Sequence, residues 1–322
     1  MTNNILINNN TNLKKEFDLI LQKKSLPQSI LDNKVPEVEN ITLQNFQDNY
    51  VKANKPIILK GFAKNWPATQ KWNFNFFANE CANTEVVANL YNVKNTQKIT
   101  FKDSLQYFCR SDEKNPFYIQ EWWFAETNPE LSKYFTTPEF FTNDFAKKLL
   151  GFYNNTLWVG QKGAYTPLHQ DTTFVNIWTS QIMGKKEWVL IDKTAQMYKN
   201  NEGKPDYDRF YNEQGEKLMF CTLEAGDILY VPYKWWHRAQ TLEDSISLNT
   251  FYITDEIVQR FLKDLLSIPF AVAMNRDLLN QYDQTRLNIC NRRLELLSNL
   301  IGFNKNNILN IDTSGNTSKG IY

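Results

Sequence analysis

The chain holds two histidines, His169 and His237, and both stand among residues that suit metal chemistry. In Thr166-Pro167-Leu168-His169-Gln170-Asp171 a carboxylate follows an imidazole at the second position. Residues i and i+2 of an extended strand project from one face, so a single strand offers a nitrogen and an oxygen ligand to one point. Trp235-Trp236-His237 follows a strand and turn of its own and brings the other imidazole. Two neutral nitrogens and one carboxylate make the facial donor set of non-heme Fe(II) oxygenases, which leaves positions open for substrate and dioxygen. A His-x-Asp tripeptide alone is common by chance, and most isolated histidines are surface or satisfied core residues. The strand-and-turn setting is what gives the pattern weight.

An Fe(II) site with one carboxylate keeps net positive charge, so it favours a further anionic chelator such as an α-keto acid. The distal carboxylate of that co-substrate needs a partner. Lys186 follows the Gly184 turn at the start of a strand expected to pair with the one after His169, and Thr166 has a hydroxyl to donate. The plainer alternatives are an exposed hairpin lysine and a threonine packed by its methyl group. Arg209 and Arg238 are the next basic candidates. The chain has no G-x-S-x-G or P-loop pattern and no cysteine beside either histidine, so nothing points to nucleophilic or nucleotide chemistry.

The elements that must position these residues change character along the chain. Residues 1–12 are polar and Asn-rich. Helical spacing of apolar residues is expected over 13–26, 43–53, 73–81 and 99–109, with strands over 56–61, 85–90 and 117–120. Loop and short helices are expected over 129–145. From residue 157 the pattern turns to short strands punctuated by Gly and Pro: 157–160, 175–183, 187–191, 228–231 and 245–253, with a polar loop over 200–208. That texture predicts a sandwich or jelly roll. Residues 255–303 return to helical stripes, divided at Pro269, and 304–322 form a polar tail. No fixed repeat is present, which excludes solenoids and propellers.

The chain has 322 residues, 42% hydrophobic and 14% aromatic, enough for a large aromatic core. Its net charge of +1 is spread without a long basic run, so nucleic-acid binding gains no support. Cys81, Cys109, Cys221 and Cys290 form no C-x-x-C pair. No run approaches the roughly twenty apolar residues of a membrane span, and the Asn-rich start lacks a signal-peptide core. A reducing cytoplasmic setting is the expectation, and Fe(II) persists in one.

Residues 157–171 resemble the strand and turn of the JmjC-type, cupin-like hydroxylases. Gln181-Ile182-Met183-Gly184-Lys185-Lys186 is similar to a Q-x-x-G-x-K motif in the branch that contains the asparaginyl hydroxylase inhibiting hypoxia-inducible factor. Gly226-Asp227 through Pro232 to Trp235-Trp236-His237 is similar to its G-D-x-x-x-x-P-x-x-W-W-H, 245–249 to its closing strand, and 55–61 with Trp66-Pro67 to its N-terminal portion. The likeness spans most of residues 40–253. It implies a mainly β fold with flanking helices, built on a double-stranded β-helix (a cupin-like jelly roll). A tail and helix would occupy 1–36, the hydroxylase domain 37–254 with its barrel core from about 115, and C-terminal helices 255–303.

The resemblance casts His169, Asp171 and His237 as catalytic iron ligands and 2-oxoglutarate as co-substrate. Thr166, Lys186 and Tyr118 would hold the distal carboxylate, Asn249 and Asn176 would lie near the co-substrate, and Gln120 would face the substrate. Thr250-Phe251 departs from the branch, which often has Trp there. The implied activity is an Fe(II)- and 2-oxoglutarate-dependent dioxygenase that hydroxylates a C–H bond, foremost on a protein or peptide side chain. The competing readings are a catalytically silent cupin-like binding module, and a hydroxylase or demethylase of a small molecule or RNA base. The related asparaginyl hydroxylase dimerises through C-terminal helices, so a homodimer through 255–303 is expected, centred on Leu294 and Leu297.

Overall fold

The structure is a computed structural model that describes residues 14, 17, 21, 26–89, 96–108, 116–145, 147, 154–171, 175–258 and 260. The described strands, in chain order, are β1 (Glu37–Val38), β2 (Ile57–Leu59), β3 (Glu85–Asn89), β4 (Thr96–Thr100), β5 (Tyr118–Trp122), β6 (Asn154–Gly160), β7 (Tyr165–His169), β8 (Asn176–Met183), β9 (Lys186–Ile191), β10 (Leu218–Leu223), β11 (Ile228–Val231), β12 (Trp236–Thr241) and β13 (Ser245–Tyr252). They form two sheets. The large one runs β1-β2-β11-β8-β13-β6-β5-β3-β4 and the small one β10-β9-β12-β7. This is the jelly-roll arrangement that the strand texture predicted.

Alternation of side chains divides the core into layers. Ile57, Leu59, Leu157, Val159, Trp178, Ile228, Tyr230, Ile246 and Leu248 point outward from the large sheet into an aromatic core with Phe46, Phe77, Phe101, Trp122 and Phe141. The alternate residues Ile58, Ile177, Leu229 and Val231 meet Trp188, Leu190, Leu223 and Ala239 of the small sheet in the barrel interior. Leu168, Val189, Ile191, Leu218, Phe220 and Trp236 face the other way, against Phe17, Ile30 and Phe210. β11 reads as an unbroken apolar run because both of its faces are covered.

Several boundaries differ from the sequence reading. The helix expected over 99–109 begins at Phe101, because Thr96–Thr100 pairs with β3. The 43–53 stretch is one α turn, Leu43–Phe46, followed by the π turn Gln47–Val51. Part of the expected 200–208 loop opens a helix, Tyr207–Gln214, whose first turn is capped by Asp206 accepting from Arg209 N at 3.1 Å. β9 does not pair with the strand after His169. It lies between β10 and β12, so the chain crosses from one sheet to the other at Gly184. Gly184 has φ +70°, and a Cβ there would collide with the Asp244 carbonyl, so only glycine turns this corner. Most of the expected helix over 13–26, and nearly all of 255–303, lie outside the described residues. Lys14, Phe17 and Leu21 are helical where described.

Asp227 of the Gly-Asp motif is structural. It accepts from Gly61 N and Glu224 N, both at 3.0 Å, and from Lys60 Nζ at 2.8 Å, which clamps the ends of β2 and β11 together. Gln181 is similarly occupied: its amide donates to Ser245 Oγ and Met183 O and accepts from Ser247 Oγ, fixing β8 against β13.

Candidate metal centre

β7 and β12 pair with His169 directly opposite His237, and the two ring centroids are 4.2 Å apart. Asp171 lies just past the end of β7 with its Oδ1 3.8 Å from His169 Nε2. One ligand atom from each of His169, Asp171 and His237 falls within 4.8 Å of the others. Each imidazole is oriented by backbone. His169 Nδ1 donates to Pro167 O at 2.8 Å, and His237 Nδ1 donates to Trp235 O at 3.1 Å. A carbonyl can only accept, so Nε2 keeps its lone pair in both rings, the tautomer a metal requires.

The electrostatics suit a cation. Burial holds the His169 pKa below its usual value, and burial with the neighbouring His169 holds His237 well below. Burial, with Glu121 nearby, pushes the Asp171 carboxyl up to about 7. Two neutral nitrogens and a carboxylate that is costly to ionise are converging donors short of a positive charge. A divalent ion supplies that charge, so the donor set fits Fe(II).

The same cavity holds the groups expected for the co-substrate. Lys186 opens β9 and is 2% exposed, and burial pulls its pKa down to about 7. Its Nζ donates to Tyr118 OH at 3.5 Å, and Tyr118 OH lies 3.3 Å from Thr166 Oγ1. Lys186, Tyr118 and Thr166 therefore form one cluster beside the histidines. Asn249 lines the cavity from β13 and accepts from the Thr179 hydroxyl. Arg209 and Arg238 are engaged by Glu213 and Glu187 and do not line the cavity.

Two irregularities set this convergence. In β7, Thr166 and His169 are three apart, which on a regular strand would put them on opposite faces. The register with β12 shifts between these positions, and both residues line the cavity while Leu168 points into the outer layer. β7 is an edge strand, so Pro167 sits at the irregularity without breaking a ladder. In β5 the register with β6 shifts between Ile119 and Trp122. Ile119 and Trp122 consequently share the outward core, and Glu121, at φ +50°, lines the cavity.

Two expected residues are not placed at the cavity. Gln120 is half-buried, and Glu121 occupies the lining position on β5 in its stead, because of the bulge. Asn176 is buried elsewhere, accepting from Tyr230 OH at 3.1 Å and Tyr233 N at 3.0 Å. Trp235 and Trp236, which flank the second imidazole in sequence, do not line the cavity. Trp235 donates to the Asn54 carbonyl and side chain, and Trp236 packs on Phe17. The aromatic wall is Trp158, Trp188 and Phe251.

Four of the lining residues that sequence reasoning missed follow a rule. Trp158 is two from Thr156, Trp188 two from Lys186, Ala239 two from His237 and Phe251 two from Asn249. Strand period alone would have found three of them from residues already named. Glu121 carries no such signal, because a bulge breaks the period.

Residues 43–256 match the family described as the Cupin-like domain. The chain is 28% identical to the 2-oxoglutarate and iron-dependent oxygenase JMJD4 of Danio rerio, over 76% of this chain and 67% of that protein. It is 25% identical to the Arginine-specific demethylase JMJ22 of Arabidopsis thaliana, over 70% of this chain and 47% of that one. It is also 25% identical to the Bifunctional arginine demethylase and lysyl-hydroxylase psr-1 of Caenorhabditis elegans, over 67% and 60%. The chain thus spans about half to two thirds of the length of these relatives.

Proposed function

This chain belongs to the cupin-like domain family, and we propose that it is a JmjC-type Fe(II)- and 2-oxoglutarate-dependent dioxygenase that hydroxylates a C–H bond on a protein side chain. The observation that carries this reading is the convergence of His169, Asp171 and His237 in one cavity with buried Lys186. Such a lysine has no reason to lie there unless an anion joins it.

In this assignment His169, Asp171 and His237 hold the iron. Lys186, Tyr118 and Thr166 hold the distal carboxylate of 2-oxoglutarate, and Asn249 borders it. Bound there with dioxygen, the iron would supply the oxidant for a C–H bond at the expense of 2-oxoglutarate, which would leave as succinate and carbon dioxide. The chain's own share is orientation and exclusion of water. Pro167 O and Trp235 O hold the imidazoles as Nε2 ligands. The Tyr118 hydroxyl joins Lys186 to Thr166, so three donors converge on one carboxylate. Trp158, Trp188 and Phe251 dry the wall around the reacting carbon.

The finer placement, near the asparaginyl-hydroxylase branch, rests on Gln181, Gly184 and Lys186 and concerns scaffold rather than substrate. A cytoplasmic, reducing location and a homodimer through 255–303 belong to the same proposal. Free buried thiols at Cys81 and Cys221 are in keeping with the former. Incubation with Fe(II), ascorbate and 2-oxoglutarate, with succinate measured, tests the function. Metal- and ascorbate-dependent succinate supports it, and none at any iron loading points to a silent binding module.

A further inference from the structure

The middle residue of His169-Gln170-Asp171 takes no part in the cavity. His169 and Asp171 line it, and Gln170 between them does not. Neighbouring residues of an extended chain point to opposite sides, so the Gln170 side chain leaves the site outward. It ends on the turn that precedes the other imidazole, where Gln170 Nε2 donates to Lys234 O at 2.6 Å. One ligand segment is thereby bonded to the other.

The turn over 232–235 is pinned along its length. Trp235 N donates to Pro232 O at 3.4 Å and closes it. Lys234 is its third residue and is held left-handed at φ +63°, a conformation that favours glycine. Such a residue persists where its neighbours hold it. Tyr233 N donates to the buried Asn176 Oδ1 at 3.0 Å, and Trp235 Nε1 donates to Asn54 O at 3.0 Å. Trp235 O in turn accepts from His237 Nδ1. The turn is thus a fixed point from which His237 is aimed.

Asp171 is the ligand that needs a hold. The β7–β12 ladder sets His169 against His237, but it ends at that pair, and Asp171 lies beyond it. Each imidazole has a carbonyl that orients it. Among the described residues no donor is hydrogen-bonded to the Asp171 carboxylate, which lies 3.8 Å from His169 Nε2. Gln170 supplies the side-chain hydrogen bond that ties residues 170–171 to the turn before His237. Ligands that converge on a metal depend on such outer partners.

We propose that Gln170 is a positioning residue of the metal centre: its bond to Lys234 O locks the segment that carries Asp171 to the turn that aims His237, and so keeps the three ligands converged. This rests on the metal-centre reading of the same cavity. Gln170 touches no metal or co-substrate, and it acts through Asp171.

The test is metal binding without turnover, on the full chain. Gln170→Met keeps the length of the side chain and loses the donor. Co(II) is titrated by competition under anaerobic conditions into wild type, Gln170→Met, Asp171→Ala and the double variant. Gln170→Met should lose about tenfold to a hundredfold in Co(II) affinity, the usual loss when a partner that positions a metal ligand is removed. The melting temperature of the metal-free protein should stay unchanged. At saturating Co(II) the visible spectrum of Gln170→Met should move toward that of Asp171→Ala. In the Asp171→Ala background the same change should cost less than about twofold, because effects that pass through one residue do not add. Gln170→Asn keeps the amide but is one methylene short, and should weaken binding in the same direction. An unchanged affinity in Gln170→Met overturns the proposal. So does an equal loss in both backgrounds, or a fall in metal-free melting for both Gln170→Met and Gln170→Asn, which would mark a structural residue. A wild type that takes up no Co(II) removes the metal centre and Gln170's role with it. A wild type that binds one Co(II) per chain while Gln170→Met matches it leaves the metal centre standing and removes only Gln170.

Discussion

Asp171 and Lys186 share a cavity and are held from their ordinary charge states in opposite directions, the acid up to about 7 and the base down to about 7. Both shifts come mainly from burial, and each is relieved by a ligand of the other sign. The sign for metal follows. Asp171 must lose its proton to bind, so affinity should be full above about pH 7 and fall about tenfold per unit as pH drops below it. The imidazoles, with depressed pKa values, are already neutral there. Competition titrations with Co(II) from pH 8 to 5.5 check this, and a flat profile would remove Asp171 from the ligand set. For 2-oxoglutarate the slope reverses, because Lys186 must carry its proton, so affinity should weaken as pH rises beyond about 7. Lys186→Ala should raise the apparent KM for 2-oxoglutarate about tenfold to a hundredfold, the weight of a charge-assisted contact of about 1.5–3 kcal/mol. Fe(II) affinity should be little changed, and an unaltered KM would send the distal carboxylate elsewhere.

The strands place these residues through pairing register and through two breaks in it. Gly160 lies opposite Tyr118 in the β5–β6 pair, and a Cβ at Gly160 would meet the Tyr118 ring at 2.6 Å and Ala164 Cβ at 3.2 Å. Gly160→Ala should therefore displace Tyr118 and raise the 2-oxoglutarate KM while Fe(II) binding persists. Kinetics beside a metal titration check it, and equal loss of both would mean general disruption. The legible part of the fold was what obeys strand period and turn chemistry. The jelly-roll texture, Gly184 as a turn, and the pairing of His169-x-Asp171 with His237 were all visible that way. β10 was missed because Leu218–Leu223 is a short apolar run without strict alternation, which period alone does not mark as a strand, and the partner of β9 was misjudged because sequence neighbours need not share a sheet. Glu121 was illegible, and Gln120 was expected in its place, because a bulge shifts the face without leaving a residue pattern.

The whole molecule sets its site inside the barrel, with a large aromatic core on one flank and a smaller one with Phe17 and Phe210 on the other. Ile257 is buried against Val175 and Ile253, so the chain leaves the barrel still packed upon it. The apolar stripes beyond it, with Leu294 and Leu297, lie outside the described residues, and a homodimer through 255–303 stands as a prediction. Light scattering over a concentration series should show twice the 37.9 kDa chain mass for wild type and a monomer for Leu294→Arg, where an unpaired charge would be buried. A wild-type monomer at every concentration contradicts it. The central claim is that three ligands and one lysine build a single iron and 2-oxoglutarate site. Anaerobic addition of 2-oxoglutarate to the Fe(II)-loaded protein, followed by visible absorption, tests it most directly. The account predicts a charge-transfer band that saturates at one iron per chain, is lost in His169→Ala, and needs more 2-oxoglutarate in Lys186→Ala. No band in wild type, or an undiminished band in His169→Ala, would contradict it.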